Sequence, residues 1–193
     1  MLSVIYYSDK HCSPLILKAC LANLRTVVSD LHAELIVQIQ DTPNVRSHQL
    51  MYQNILDGIA KANHSIVFLA EHDVMYSKWH FLERPNDNTT LFNISSIDLT
   101  SKGYIINNSL KLSQMSGRKL AVQKAIEFKL AQKEIVVAEP IDPPMVYGIY
   151  ASMIPNIDIR HQHAFTGDRA SDELRINDRY WGPAESFIRS FEL

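Results

Sequence analysis

Short hydrophobic runs and longer amphipathic segments alternate along the first part of the chain. Residues 3–7 form an apolar and aromatic run that predicts a first strand, and residues 34–39 and 66–70 predict two more. Between these runs, hydrophobic side chains recur every three or four positions over residues 14–31 and 47–62, as on one face of a helix. The chain is therefore predicted to begin with the order strand, helix, strand, helix, strand.

This order is typical of a doubly wound α/β sheet, in which right-handed crossovers place the helices against parallel strands. Residues 66–70 are apolar almost without a break, as expected of a central strand that is covered on both faces. In open α/β sheets, ligands bind beyond the carboxyl ends of the strands. Those ends carry residues 7–9, 40–41 and 71–73, so we expect the chemistry of the protein there.

The pattern is less regular in the second part of the chain. Residues 91–94 and 104–106 predict strands, and apolar positions on one face predict a helix from 117 to about 132. A further short strand is predicted over residues 135–137, before a proline-rich stretch that imposes extended backbone. No linker, internal repeat or low-complexity segment divides the sequence. We therefore predict a single domain over residues 1–193.

Composition narrows the classes of function. Of the 193 residues, 46% are hydrophobic and 21% are charged, which argues against disorder. The formal net charge of -2 gives no overall attraction for nucleic acid. No apolar run reaches the roughly 20 residues that a membrane helix needs. The N-terminus lacks the features of a signal peptide, so we expect a cytoplasmic protein in which Cys12 and Cys20 are reduced.

Two carboxylates follow the third predicted strand. Glu71 and Asp73 are two residues apart, so both side chains point the same way if the extended conformation continues. Neighbouring carboxylates in a cleft repel each other and favour a hard cation between them. Mg²⁺ or Mn²⁺ at this position would carry the pyrophosphate oxygens of a bound nucleotide. The alternative is a solvated acidic strand end, which is common in α/β proteins.

The residues around this motif resemble a known family. Residues 58–73 look like the central block of inverting GT-A glycosyltransferases of the family 2 type, in which a helix leads into a hydrophobic strand that ends in Asp-x-Asp. Other segments are similar to a group of small glycosyltransferase-like proteins that phages and bacteria often encode. The resemblance covers most of the chain, loosely between residues 77 and 157. These other segments are residues 46–48, 51–52, 55–58, 73–76, 158–161 and 165–167.

The resemblance implies a fold and an activity. The fold would be GT-A-like, with a mostly parallel, Rossmann-like central sheet flanked by helices. The activity would be the metal-dependent transfer of a sugar from a nucleotide-sugar donor, expected to be a UDP-sugar. Residues 1–76 would form the half that binds the nucleotide-sugar, and residues 77–193 the half that holds the acceptor and completes the metal site.

The resemblance also implies roles for individual residues. Asp73 would bind Mn²⁺ or Mg²⁺. Glu71 stands where the family has an aspartate that faces the ribose or the metal, and its longer side chain departs from that pattern. The expected contacts with the base, the ribose and the diphosphate come from Tyr6, Tyr7, Asp9 and Arg46.

A histidine-rich segment supplies a candidate for the third metal ligand. Alternation from residue 158 onwards predicts His161 and His163 on one face of a strand. Several GT-A enzymes complete the metal site with a late histidine, so His161 is a candidate ligand. The alternative is a pair of half-exposed strand histidines. Arg169 lies in a predicted turn that could close over phosphates, and residues 180–183 would either stack on a sugar or base or pack on the core.

The catalytic base and the acceptor stay open. An inverting transfer needs a carboxylate that accepts the proton of the acceptor hydroxyl, and the less regular half offers Asp98, Glu127, Glu134, Glu139 and Asp142. The acceptor could be a glycan, a protein, a lipid or a modified base in phage DNA, in the host cytoplasm if a phage encodes the chain.

Two other classes of function compete with the glycosyltransferase. One is a nucleotidyltransferase, which would normally have a glycine-rich loop after the first strand, whereas residues 8–12 contain no glycine. The other is a non-catalytic module that binds a nucleotide or a sugar.

Overall fold

The first half of the chain has the predicted order of strands and helices. The computed structural model describes residues 1–40, 47–86, 89–132, 147–161 and 174–193. All five predicted elements are present, with bounds within a residue of the prediction. They are β1 (Ser3–Ser8), α1 (Pro14–Asp30), β2 (Glu34–Ile39), α2 (His48–Lys61) and β3 (Ile66–Glu71).

The second half contains more strands than the sequence pattern predicts. The strands predicted over 91–94 and 104–106 are present, and the one predicted over 135–137 lies outside the described residues. Two 3₁₀ helices, Lys78–Phe81 and Leu112–Gln114, interrupt the strands. The remaining elements are β4 (Val74–Met75), β5 (Thr90–Asn93), β6 (Ser96–Thr100), β7 (Gly103–Ile106), β8 (Met115–Arg118), α3 (Lys119–Leu130), β9 (Tyr147–Tyr150), β10 (Asn156–Ile159), β11 (Leu174–Arg175), β12 (Asn177–Asp178), β13 (Gly182–Pro183) and α4 (Ala184–Phe191).

The helix predicted from residue 117 begins later, at Lys119. The two residues before it belong to β8, which pairs antiparallel with both β3 and β5. Gly117 fits this crowded place because a Cβ there would lie 2.8 Å from Val122 Cγ2. Apolar residues recur at helical spacing only from the start of α3. The four residues of β8 show no alternation that would distinguish them from the first turn of a helix.

The described residues form a six-stranded mixed sheet in the order β2-β1-β3-β8-β5-β9. The first three strands are parallel, as the two crossover helices require. The register places Tyr7 beside Glu71, so the carboxyl ends of β1 and β3 finish at the same level. This edge is where the sequence predicts the site.

A second sheet of five strands, in the order β11-β7-β6-β10-β4, lies beyond the end of β3. Strand β4 starts directly after Asp73 and pairs antiparallel with β10, with Val74 opposite Asp158. The chain therefore passes from the first sheet to the second through residues 72 and 73. The turn that carries the acidic motif is held between two sheets.

Alternating side chains of β1 and β3 build a core on each face of the first sheet. On one face, Ile5 and Leu69 pack with apolar residues of α2 and α3. On the other face, Val4 and Phe68 pack under α1, whose hydrophobic residues share one side. Helix α2 lies so close to β1 that a Cβ on Gly58 would stand 2.5 Å from Ile5 Cγ2. Glycine at this position allows the close approach.

No helix within the described ranges is both long and apolar enough to cross a membrane.

Candidate functional site

The carboxyl ends of β1 and β3 form the floor of the candidate site. Asp9 follows β1, and its Oδ1 lies 3.8 Å from His72 Nε2, just beyond β3. The backbone N–H of Glu71 donates a hydrogen bond of 2.9 Å to the Tyr76 hydroxyl, which in turn donates to the carbonyl of Ser113. These bonds fix the backbone where β3 turns towards the second sheet.

A small, partly open cleft lies beside these strand ends. Tyr7, which is 2% exposed, and Asp9 line it from β1, while Met51 and Asn54 line it from α2. The Asn54 side-chain amide donates to the carbonyl of Gln38, so α2 is tied to β2 at the mouth of the cleft. The remaining lining residues are Ser8, Gln40, Glu71 and His72.

The structure brings Asp73 and His161 together, although they are 88 positions apart in the chain. Strand β10 ends at Ile159, whose N–H donates a hydrogen bond of 2.9 Å to the carbonyl of Asp73. Two residues later, His161 Nε2 lies 3.3 Å from Asp73 Oδ2. His161 thus lies just beyond the strand rather than within it. The antiparallel pairing of β10 with β4 positions it.

Carboxylates and imidazoles converge closely enough to share a cation. One ligand atom from each of Glu71, His72 and Asp73 lies within 4.8 Å of the other two. Cys12, His72 and His161 form a second group, in which one ligand atom from each residue also lies within 4.8 Å of the other two. Asp73 Oδ1 and both ring nitrogens of His72 are buried without a hydrogen-bond partner among the described residues. Buried polar atoms without partners are rare, and they mark a place where a ligand could bind.

The two carboxylates of the motif differ in their acidity. Burial raises the pKa of Glu71 well above its ordinary value, and the nearby charge of Asp73 raises it further. Burial also acts to raise the pKa of Asp73, but the attraction of His72 and the hydrogen bond with His161 outweigh it, so this pKa is lowered. Without a cation, Asp73 is ionised while Glu71 retains its proton above the pH at which a free glutamate would lose it.

A buried network of charges lies in the second sheet next to the motif. Asp98 on β6 and Asp158 on β10 are opposite each other in the parallel register. Lys111 Nζ lies 2.8 Å from a carboxylate oxygen of each. Arg160 bridges the same pair, at 3.0 Å from Asp98 Oδ2 and 3.4 Å from Asp158 Oδ2, and Asn107 donates a hydrogen bond of 2.8 Å to Asp98. Two negative and two positive charges therefore balance one another.

The sequence pattern does not identify this network as a unit. Asp98 is one of several candidate bases, and residues 158–161 belong to a resembling segment and to the alternating stretch that contains the histidines. The available signal is an acidic residue flanked by Ile or Leu in each strand, Ile97-Asp98-Leu99 and Ile157-Asp158-Ile159. A charged side chain inside an apolar strand needs a buried partner of opposite charge. Two such strands therefore predict that their carboxylates share a cationic partner. Asp98 is 2% exposed and held by two cations, which leaves it poorly placed to meet an acceptor.

The predicted nucleotide-binding residues have different positions. Tyr7 and Asp9 line the cleft. Tyr6 points to the opposite face of the sheet, where it is 1% exposed and packs with Val4 under α1. Burial raises the pKa of the Tyr6 hydroxyl above its ordinary range. Arg46 lies outside the described residues.

The predicted C-terminal contributors are only partly described. His163 and Arg169 lie outside the described residues, as do Glu134, Glu139 and Asp142. Trp181 Nε1 donates a hydrogen bond of 2.8 Å to the carbonyl of Pro155, which ties this aromatic side chain to the core. Tyr180 stands edge-to-face against Trp181, with ring centroids 4.9 Å apart, and is 54% exposed. Of this pair, Tyr180 offers the ring that a ligand could reach.

Comparison with known proteins gives structural similarity without close sequence similarity. No family model matches the chain, and no curated protein matches its sequence significantly. A mutant of the Drosophila β1,4-galactosyltransferase 7, in complex with manganese, UDP-Gal and xylobiose, aligns over 64% of this chain at 11% identity, with a TM-score of 0.44. The catalytic domain of the Drosophila enzyme with xylobiose aligns over 62% at 12% identity, with a TM-score of 0.41. The chain spans about half the length of these two chains, 51% and 49%.

The similarity is more extensive to a glycosyltransferase involved in the glycosylation of the major capsid of PBCV-1. The alignment covers 81% of this chain and 92% of that one, with a TM-score of 0.53 at 8% identity. The six-stranded mixed sheet with its flanking helices agrees with this likeness. The fold class predicted from the sequence is therefore confirmed: the chain has the α/β fold of GT-A-type glycosyltransferases.

Proposed function

We propose that this protein is a metal-dependent glycosyltransferase that takes a sugar from a nucleotide-sugar, with a UDP-sugar as the donor. The observation that carries the proposal is the meeting of Asp73 and His161, 3.3 Å apart, beside Glu71 and the cleft at the carboxyl ends of β1 and β3. The fold supports it, since a PBCV-1 protein with a similar fold is a glycosyltransferase. The resemblance of residues 58–73 to a glycosyltransferase motif supports it independently.

The residues of the site fit a divalent cation. Asp73 Oδ1 is buried with no hydrogen-bond partner among the described residues, so it is available as a ligand. Asp73, Glu71 and His161 offer two carboxylates and one imidazole, a set that suits Mn²⁺ better than Mg²⁺ because of the nitrogen. When bound there, the cation would neutralise charge on the departing diphosphate.

Other residues of the site would bind the donor or hold the proposed ligands in place. Tyr7 and Asp9 line the cleft and would hold the base and ribose, with Asp9 accepting from a ribose hydroxyl. Glu71 would contact the ribose or the cation. The balanced network of Asp98, Lys111, Asp158 and Arg160 would keep β10 in place, so that His161 stays against Asp73. We propose Arg46 and Arg169 as phosphate ligands on sequence grounds alone. No residue is proposed as the catalytic base.

Calorimetric titration of UDP with and without Mn²⁺ tests the proposal. Wild-type protein should bind UDP more tightly with Mn²⁺, and Asp73→Ala should abolish that difference. Asp57→Ala is a matched control, because Asp57 is exposed on α2 and accepts a hydrogen bond only from Gln53 within its own helix among the bonds described. Unchanged metal dependence in Asp73→Ala would show that the motif does not bind the cation.

A mass-spectrometric screen then separates the glycosyltransferase from the competing classes. Incubation with Mn²⁺ and a panel of nucleotide-sugars should release free sugar and nucleoside diphosphate. Pyrophosphate released from nucleoside triphosphates would instead identify a nucleotidyltransferase. Binding without any turnover, even with added acceptors, would identify a binding module. The same assay with glycans, a protein, lipids and hydroxymethylated DNA would define the acceptor, and the net charge of -2 disfavours the DNA.

A further inference from the structure

A thiol and two imidazoles converge next to the carboxylates of the candidate site. Cys12 lies between β1 and α1, His72 follows β3, and His161 follows β10. One ligand atom from each lies within 4.8 Å of the other two. Three separate segments of the chain therefore deliver a sulfur and two nitrogens to one place.

Two members of the cluster are buried, and the ring of His72 approaches Asp9 Oδ1 only to 3.8 Å. Cys12 is 8% exposed and His72 is 4% exposed. Neither ring nitrogen of His72 has a hydrogen-bond partner among the described residues. Leaving a buried polar group without a hydrogen bond is unfavourable, and a bound ligand can supply the missing interaction. A cation bound by an imidazole nitrogen would satisfy the ring.

The donor atoms identify the class of cation. Thiolate and imidazole ligands suit Zn²⁺, whereas Mg²⁺ prefers oxygen alone. We propose that Cys12, His72 and His161 bind Zn²⁺, with Asp73 as the fourth ligand. Asp73 adjoins the cluster, because its Oδ2 lies 3.3 Å from His161 Nε2. The proposed set consists of one sulfur, two nitrogens and one oxygen, and zinc prefers four such ligands.

The zinc site has a consequence for the cation of the proposed function. His161 and Asp73 belong to both ligand sets, so the two cations cannot be bound together. Zn²⁺ should therefore displace Mn²⁺ and inhibit sugar transfer. This consequence rests on the proposed function, whereas zinc binding itself rests only on the cluster.

The second cysteine provides a matched control. Cys20 lies in α1, is 1% exposed and packs in the core with Ile16. Burial, and then the charge of Asp73, raises the pKa of its thiol well above the ordinary value, so it stays protonated. Replacing Cys20 therefore removes a neighbouring thiol that is not one of the proposed ligands.

Cobalt substitution tests the site, because a bond from thiolate to Co²⁺ gives a near-ultraviolet charge-transfer band. Co²⁺ should produce this band in the wild-type protein and in Cys20→Ala, and equimolar Zn²⁺ should abolish it. Cys12→Ala should lack the band and bind Zn²⁺ at least about tenfold more weakly. His72→Ala should also lose zinc affinity by a similar factor while its thiols are intact. Circular dichroism establishes that each variant is folded.

The outcomes separate this proposal from the proposed function. A charge-transfer band that persists in Cys12→Ala, its absence from the wild type, or equal zinc affinity in all variants would overturn the zinc site. Cys12→Ala should retain Mn²⁺-dependent binding of UDP, and its inhibition by Zn²⁺ should need at least about tenfold more Zn²⁺. If UDP does not bind under any condition and the cobalt band still depends on Cys12, the zinc site stands and the glycosyltransferase fails.

Discussion

At the scale of single residues, Glu71 and Asp73 show that two carboxylates at the end of one strand can have pKa values shifted in opposite directions. Burial opposes the ionisation of both, but the attraction of His72 and the hydrogen bond with His161 lower the pKa of Asp73. Glu71 is left with raised pKa because burial and the charge of Asp73 both oppose its ionisation. A cation would reverse this balance, since it attracts both carboxylates. A bound cation would therefore favour the ionised form of Glu71.

The Glu71→Gln variant should be more stable than the wild type at neutral pH in the absence of metal. A carboxyl whose folded pKa is raised contributes its stability below the unfolded pKa and loses it as pH rises through the folded value. Glutamine removes that loss. The thermal midpoint should therefore rise in the variant at pH 7, and the difference should vanish well below the ordinary glutamate pKa, where the carboxyl is protonated in both states. A lower midpoint at pH 7 would mean that the ionised Glu71 has a partner that stabilises it.

His161→Ala should weaken Mn²⁺ binding about tenfold, equivalent to about 1.4 kcal/mol, because the cation loses one of its proposed ligands. Its matched control is His64→Ala, at the opposite end of β3 from the motif. Calorimetry with Mn²⁺ measures the affinity of each variant. Equal affinities in both would leave the cation with carboxylates and water alone, and His161 would then be only a hydrogen-bond partner of Asp73.

At the scale of elements, β10 connects the charge network to the site. Lys111 pairs with both Asp158 on β10 and Asp98 on β6, and Arg160, which follows β10, also pairs with Asp98. The N–H of Ile159, the last residue of β10, donates a hydrogen bond to the carbonyl of Asp73. Any shift of this strand would carry His161 with it. The network therefore helps to fix the position of His161, two residues beyond the end of the strand.

Lys111→Met should lower the free energy of unfolding by about 3 kcal/mol, because it leaves a surplus of buried negative charge around Asp98 and Asp158. It should also weaken Mn²⁺ binding, although Lys111 touches no proposed ligand. Lys124→Met on the exposed side of α3 should change neither quantity by more than about 0.5 kcal/mol. Urea unfolding and calorimetry give the two values. A small loss of stability would mean that Arg160 alone balances the carboxylates.

At the scale of the whole molecule, the sequence predicts the first sheet far better than the second. The pairs β1–β2 and β1–β3 are joined by helices whose spacing is visible in the sequence. Strands β6 and β10 pair across about 60 residues, with register Asp98 to Asp158, and nothing local reports such a pairing. Short strands such as β4 and β8 carry no periodicity that could distinguish them from loops.

The residues of the candidate site also differ in how far the sequence predicts them. The end of β3 is a recognisable place for carboxylates, so the pattern suffices to predict Glu71 and Asp73 as candidates. That Asp73 meets His161 was expected only from a family resemblance, and the backbone bond from Ile159 to Asp73 provides the physical reason. Cys12 and His72 were not identified as potential ligands, because the sequence does not show that the loop after β1 lies beside the end of β10.

Binding of donor and cation should stabilise the entire protein, since ligands that bind only the folded state shift the unfolding equilibrium. At a ligand concentration of 100 times Kd, the gain is about 2.7 kcal/mol. For a chain of 193 residues, this corresponds to a rise in Tm of roughly 5–10 °C. If the cation links the nucleotide to Asp73, UDP and Mn²⁺ together should raise Tm by more than the sum of their separate effects.

Differential scanning fluorimetry with UDP, with Mn²⁺, with both and with neither measures this coupling. The excess should disappear in Asp73→Ala and persist in Asp57→Ala, because only the first carboxylate lies at the site. Adenosine diphosphate in place of UDP tests whether the cleft beside Tyr7 discriminates between bases, since the diphosphate and the cation are then unchanged. Strictly additive shifts in the wild type would show that nucleotide and cation bind independently, and the proposed arrangement around Asp73 would then be wrong.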